Sequence, residues 1–411
     1  MMASSPQSPI HTASLLRYPS PSKSPVFLCS SSPRRRLFCH GASKPMTHLN
    51  FVLHDALDSC GVDTTLARES RMGFLTQIQN LSGIERETSI SINNCVDLGK
   101  TALYIAAEDH ALVSRSLVPL PVDDFIQRLD DLSMGYCSIY RSSFSSSPES
   151  FLHSLDSYLY VNKGFRRTNC MDQSEAWALY LPLVLTYRSG SSIMLSLIYS
   201  EILKMLRLWG LVDFDCEIFF PHDLHDLPRG YDKQKSKESD QACIMTTETL
   251  LEETLRSLKE AFWPFQYDNT KSLFLRAAHA ANCTDRSKHF EESYSGFQLP
   301  AAEAAQHRLH HGVQTSKSFG DMLCALAACE RLVLLESDPK ELRDYSILLY
   351  HCGFYEEAQK CLEMYQKTKS LSLQKQPSCK YNILEEDAVE KLKVRLDLIS
   401  MENGWSKPSR V

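Results

Sequence analysis

A mostly helical α+β fold is what this sequence predicts, and three observations carry that expectation. From Ile193 to Trp209 the chain has no Gly or Pro and is apolar over most of its length, as in a helix buried inside a domain. Just after Gly210, Phe214, Cys216, Ile218 and Phe220 recur at every second position, the pattern of a half-buried strand. Segments of helical periodicity fill much of the rest, and the chain closes on paired helices around Gly353-Phe-Tyr-Glu-Glu-Ala358.

The elements follow in order. The first fifty residues hold no Asp or Glu, six Lys or Arg, eleven Ser and seven Pro. With no acid and no hydrophobic periodicity this segment is not expected to pack. It resembles a chloroplast transit peptide over residues 1–46, with a mitochondrial one as the alternative. Met72, Leu75, Ile78 and Leu81 are spaced as a narrow helical stripe. Asp97 stands where it can cap a helix that carries Leu98, Leu103, Ile105 and Ala106. Phe125, Leu129 and Leu132 mark the next, with Asp123 or Asp124 as its expected cap. Arg141 to Pro148 is Ser-rich and reads as a loop, and Phe151 to Tyr160 as a helix. Glu175 to Tyr187 leads into the central helix, with Pro182 expected to bend it.

The central helix spans about 25 Å at 1.5 Å per residue. Ser196, Ser200, Lys204 and Arg207 form one polar stripe along it, with Glu201 beside them, which argues against a membrane span. Ser189, Ser191 or Ser192 can cap its start and Gly210 can end it. Thr246 to Phe262 presents Leu251, Leu255, Leu258 and Phe262 on one side, and Pro264 stops it. Lys271 to Cys283, Pro300 to His311, Asp321 to Glu336, Glu341 to His351 and a segment running to Gln366 complete the helices. Residues 47–295 are expected to form a core domain and 296–411 a helical one.

Composition narrows the function. Of 44 basic residues six lie in the leader, so the remainder sets 38 against 50 acidic ones, a formal charge of −12. Such a body is a poor non-specific nucleic-acid binder. The fourteen cysteines contain no Cys-x-x-Cys, which speaks against a zinc ribbon or a disulfide framework. His307, His310 and His311 have a helical spacing able to hold zinc, yet no Glu partner or fourth ligand accompanies them. No metal or cofactor is expected. The chain has no phosphate loop, no Gly-x-Gly-x-x-Gly and no Gly-x-Ser-x-Gly.

The order Asp97-Leu…Ala-Leu-Tyr-Ile-Ala-Ala107, Leu129-Asp-Asp-Leu132, Arg188-Ser-Gly-Ser-Ser-Ile-Met-Leu-Ser-Leu-Ile-Tyr199, Asp338-Pro and Gly353-Phe-Tyr-Glu-Glu-Ala358 resembles the SirB-type family. The resemblance covers roughly residues 65 to 370 and, with the leader, points to the plant plastid branch. It implies a transglutaminase-like core followed by tetratricopeptide-like helices, with Ser346 and Met322 standing where the repeat often has Gly. In a transglutaminase-like enzyme a Cys at the start of the central helix is the nucleophile and a His on the following strand its base. Here Gly190-Ser-Ser-Ile193 occupies the helix start, and Pro221-His-Asp-Leu-His225 replaces the family's Pro-Gly-His-Phe. The core is therefore read as degenerate, and no complete catalytic constellation is expected. The candidates for a residual one are Ser192, His222 and Cys170. The resulting expectation is a non-catalytic plastid protein, stromal rather than membrane-spanning, that binds a protein partner through its C-terminal helices. A cysteine- or serine-dependent hydrolase or amidase is the alternative.

Overall fold

The computed structural model describes residues 49–81, 96–114, 117–168, 173–220, 226–235, 245–265, 270–283, 322–335, 338–372 and 380–406. The leader, the His307 to His311 segment and the boundary expected near residue 295 lie outside them. Among the described residues the fold is mostly helical, with two short two-stranded sheets. The helices are α1 (Val52–Ser59), α2 (Thr65–Gln79), α3 (Leu98–Ser114), α4 (Val122–Ile139), α5 (Pro148–Asp156), α6 (Leu181–Tyr187) and α7 (Ser192–Leu208). They continue as α8 (Thr247–Ala261), α9 (Leu273–Ala280), α10 (Met322–Leu334), α11 (Lys340–His351), α12 (Tyr355–Ser372) and α13 (Lys380–Ser406). Strand β1 (Arg166–Arg167) pairs in parallel with β2 (Ser189–Gly190), and β3 (Cys216–Phe219) pairs antiparallel with β4 (Arg229–Asp232).

Helix α7 is the centre of one core. Ser191 caps it by accepting from Met194 N at 3.2 Å. Gly210, at φ 70°, ends it in the left-handed conformation that lacks a Cβ penalty. Ile198, Ile202, Leu197, Tyr199 and Leu206 are fully buried, and so is the polar stripe at Ser196 and Ser200. Lys204 of that stripe and Glu201 beside it are enclosed too. Glu201 pairs with Lys204 and accepts from Gly99 N at 3.1 Å, while Lys204 lies 3.5 Å from Asp97. A charged pair satisfied in this way can be buried where a lone charge cannot.

The other differences have equally local causes. Asp97 does accept from Lys100 N, at 2.8 Å. Helix α4, however, begins at Pro121 with no side-chain cap, and Asp123 and Asp124 lie in its first turn, where a carboxylate favours the helix dipole. Pro182 does not bend a helix. It lies in the first turn of α6, after a 3-10 segment Gln173–Leu179, where a missing N–H costs nothing. Met72 is half exposed, and the buried face of α2 runs through Ala67, Arg71, Phe74 and Leu75. The Ser-rich stretch contains a 3-10 turn, Arg141–Ser145, and Ser147 then caps α5.

A second core gathers Leu53, Leu57, Trp263, Phe274, Leu326, Tyr345, Leu348, Leu362 and Leu392. Helix α10 serves both. Ala328 and Leu332 pack with the α7 core, while Ala325, Leu326, Cys329 and Val333 belong to the second. A helix apolar on every side is stable only when enclosed in this way. The α11–α12 hairpin turns at Gly353, φ 80°. Its helices meet closely at Ala358, whose carbonyl accepts from Ser346 Oγ at 3.0 Å. Ser346 thus adds a hydrogen bond at a position of small-residue packing.

His351 on α11 is buried, with Nε2 2.9 Å from Ala277 O and its ring 4.2 Å from that of Phe265. A carbonyl only accepts, so Nε2 carries a proton. Burial lowers its pKa to about 4, from 6.5. Between those values the unfolded chain binds a proton that the folded chain does not. Stability is therefore lost as pH falls through that window, by about 1.4 kcal/mol per unit for such a group. His54, also lowered to about 4, acts in the same direction. Asp156, raised to about 6, acts oppositely, losing stability as pH rises from about 4 to 6. His351→Gln keeps a donor for Ala277 O and removes the titration. Its melting temperature is expected to fall less than that of the parent between pH 7 and 5. Parallel curves would contradict this assignment.

Candidate functional site

The start of α7 is built from three segments. Gly190 in β2 sits where a Cβ would come within 2.6 Å of Val184, so only glycine fits. Ser191 N donates to Ala178 O at 2.9 Å, and Thr168 N donates to Gly190 O at 2.8 Å. Ser191 Oγ is engaged as the cap, and Ser192 is the first helical residue, almost fully buried. Of the three catalytic candidates Ser192 alone is among the described residues; Cys170 and His222 lie outside them. Among the described thiols Cys137, Cys283, Cys329, Cys352 and Cys361 form no disulfide and have pKa values raised by burial. Burial thus makes these thiols poorer nucleophiles.

Beside α7 stands a carboxyl group that sequence periodicity did not single out. Asp156 ends α5 next to Tyr199 of α7. Burial is the largest influence on it and raises its pKa to about 6, against the lowering effects of Tyr199, His153 and Arg229. Its Oδ1 is buried without a hydrogen-bond partner. Tyr160 OH donates to Pro228 O. Gly230 of β4 lies so close to Tyr199 OH that a Cβ would come within 2.8 Å of it. The arrangement places a carboxyl whose pKa burial raises to about 6 between the central helix and the β3–β4 hairpin, a feature shared with acid–base groups.

A second feature is a buried ionic network. Arg71 grips Glu108 through two hydrogen bonds, 2.6 and 2.8 Å, and reaches Glu330 at 2.6 Å. Arg331 contacts Glu108 at 3.2 Å and also pairs with Asp109. Tyr180 OH donates to Asp109 at 2.9 Å, and Tyr345 OH and Leu53 N donate to Glu330 at 3.1 Å. His54 Nε2 lies 3.5 Å from Glu108. Burial pushes the Glu108 carboxyl up, but Arg331 and Arg71 outweigh it and hold it near 2. Asp109 and Glu330 are raised, burial being the main cause. Two cations thus serve three carboxylates, tying α2 and α3 to α10 and α11. The sequence signal was Glu330-Arg331 inside the otherwise apolar run Met322 to Leu335. Among the described residues no cluster of side chains suits a metal ion, and no helix is long and apolar enough to cross a membrane.

No protein-family model, curated protein or solved structure matches the chain.

Proposed function

We propose that this chain is a protein-binding scaffold of the plastid, with a degenerate transglutaminase-like core of the SirB type and a tetratricopeptide-like C-terminal unit. The observation that carries the binding reading is an apolar stripe on α13. Val394, Leu398 and Met401 are spaced four and three apart and are 56, 59 and 63% exposed, while Leu392 and Leu396 on the same helix are buried. An exposed stripe of this kind is suited to the apolar face of a protein partner. The core reading is supported by the succession of a buried helix, a strand and a polar segment carrying His222. The leader is proposed to direct import and to be cleaved near residue 46. A precursor found intact in the cytosol would count against that.

The experiment is affinity capture from plastid extract with the parent chain and with Leu398→Glu. The parent should retain a defined protein and the variant should lose it at an unchanged melting temperature, since Leu398 contributes little to either core. Equal capture by both would remove α13 as the docking face. A cysteine- or serine-dependent hydrolase or amidase is the second reading, and the buried, unpartnered Oδ1 of Asp156 beside Tyr199 of α7 is the observation that favours it.

A further inference from the structure

An open cleft of about 260 Å³ lies between α4, the turn after α5 and the end of α6. Its lining is Arg128, Leu132, Lys163, Phe165, Leu185 and Arg188. Three cations face it and no acid does. None of the three forms an ion pair with a carboxylate among the described residues. Arg128 Nη1 reaches Thr186 Oγ1 only at 3.4 Å, Arg188 Nη1 donates to Lys163 O at 3.0 Å, and Lys163 Nζ sits over the Tyr158 ring. Elsewhere the same chain neutralises its buried cations with carboxylates, as at Arg71, Arg331, Lys259 and Arg343. Three cations without a carboxylate partner among the described residues therefore line one small concavity, in a chain of net charge −6, and an anion entering it would be attracted by all three.

The backbone adds an independent observation. Arg188 occupies the left-handed region at φ 55°, just past the end of α6. There its N–H donates to Val184 O and its carbonyl accepts from Arg166 N. Glycine would take that conformation without strain. An arginine there is strained relative to glycine, an outlier of the kind found at functional positions. The hydrogen bond from Nη1 to Lys163 O brings the guanidinium to the cleft.

We propose that this cleft binds a small organic dianion, a phosphate monoester or a dicarboxylate, whose charged group meets Arg128, Lys163 and Arg188. Its carbon portion rests on Leu132, Phe165 and Leu185. Guanidinium groups suit either oxyanion because their paired N–H donors match two oxygens at once. The small volume favours a small molecule over an acidic polypeptide.

The test is isothermal titration of the full-length chain with phenyl phosphate and with phthalate, at ionic strength held constant with chloride. Saturable one-to-one binding of either compound is expected, and which of the two binds tells phosphate from carboxylate. Arg188→Gly should weaken binding by about tenfold or more while its melting temperature stays level or rises, because the strain is relieved. Lys163→Met, which leaves the accepting carbonyl in place, should also weaken it. Arg188→Lys should bind between the parent and the glycine variant. Absence of saturable binding for both compounds overturns the proposal, as does affinity unchanged in both Arg188→Gly and Lys163→Met.

Discussion

Arg331→Met is expected to destabilise the fold by about 3–5 kcal/mol, the cost of breaking a buried ion pair from one side. Arg331 is fully buried and serves both Glu108 and Asp109. Removing it leaves Glu108 and Glu330 sharing Arg71, and leaves Asp109 with the Tyr180 hydroxyl, at 2.9 Å, as its side-chain partner among the described residues. Against a typical total of roughly 5–15 kcal/mol that loss is large. Equilibrium urea unfolding should show it as a lower midpoint. Adding Asp109→Asn removes the stranded charge, so the double variant should be more stable than the sum of the single losses, by about 0.5–3 kcal/mol. A single variant within about 0.5 kcal/mol of the parent would show that the network does not hold α10 to α2 and α3.

Ile198→Asp is expected to abolish soluble expression. Ile198 has no exposed surface, and its neighbours Met194, Leu195 and Ile202 are as deeply buried. A carboxylate placed there has no cation within the apolar cluster and costs several kcal/mol. Leu208→Asp on the same helix is the control. Leu208 is 58% exposed, so its replacement should change stability by about 0.5 kcal/mol or less. Soluble Ile198→Asp protein with the parent melting temperature would contradict the burial of α7.

Much of this architecture was readable because it follows from periodicity. The buried helix from Ser192, its serine cap, the strand after Gly210 and the stops at Pro264 and Gly353 each depend on local spacing or on one residue's backbone preference. The misplaced features depend on distant partners. Arg71 falls on the buried face of α2 because Glu108 and Glu330, far along the chain, complete it. Lys204 and Glu201 are enclosed because Gly99 and Asp97 approach from α3 and its start. Helix α13 was missed because its apolar residues are divided between a buried face at Ala388, Leu392 and Leu396 and the exposed stripe at Val394, Leu398 and Met401. That division blurs a single periodic face. The candidate site was the least legible part. Arg128, Lys163 and Arg188 come from three separate segments, and no spacing rule joins them. Asp156 gives no signal in the sequence, because its environment is made by Tyr199 and Arg229 from distant segments.

The scaffold reading predicts no turnover, and a direct assay of the purified chain tests it. The protein would be incubated with glutamine-containing peptides and simple amides, alongside a triple variant, Cys170→Ala, Ser192→Ala and His222→Ala. Ammonia release and cross-linking by the parent should equal those of the triple variant at every pH from 5 to 9. Turnover by the parent that the triple variant lacks would contradict the scaffold reading and establish the hydrolase.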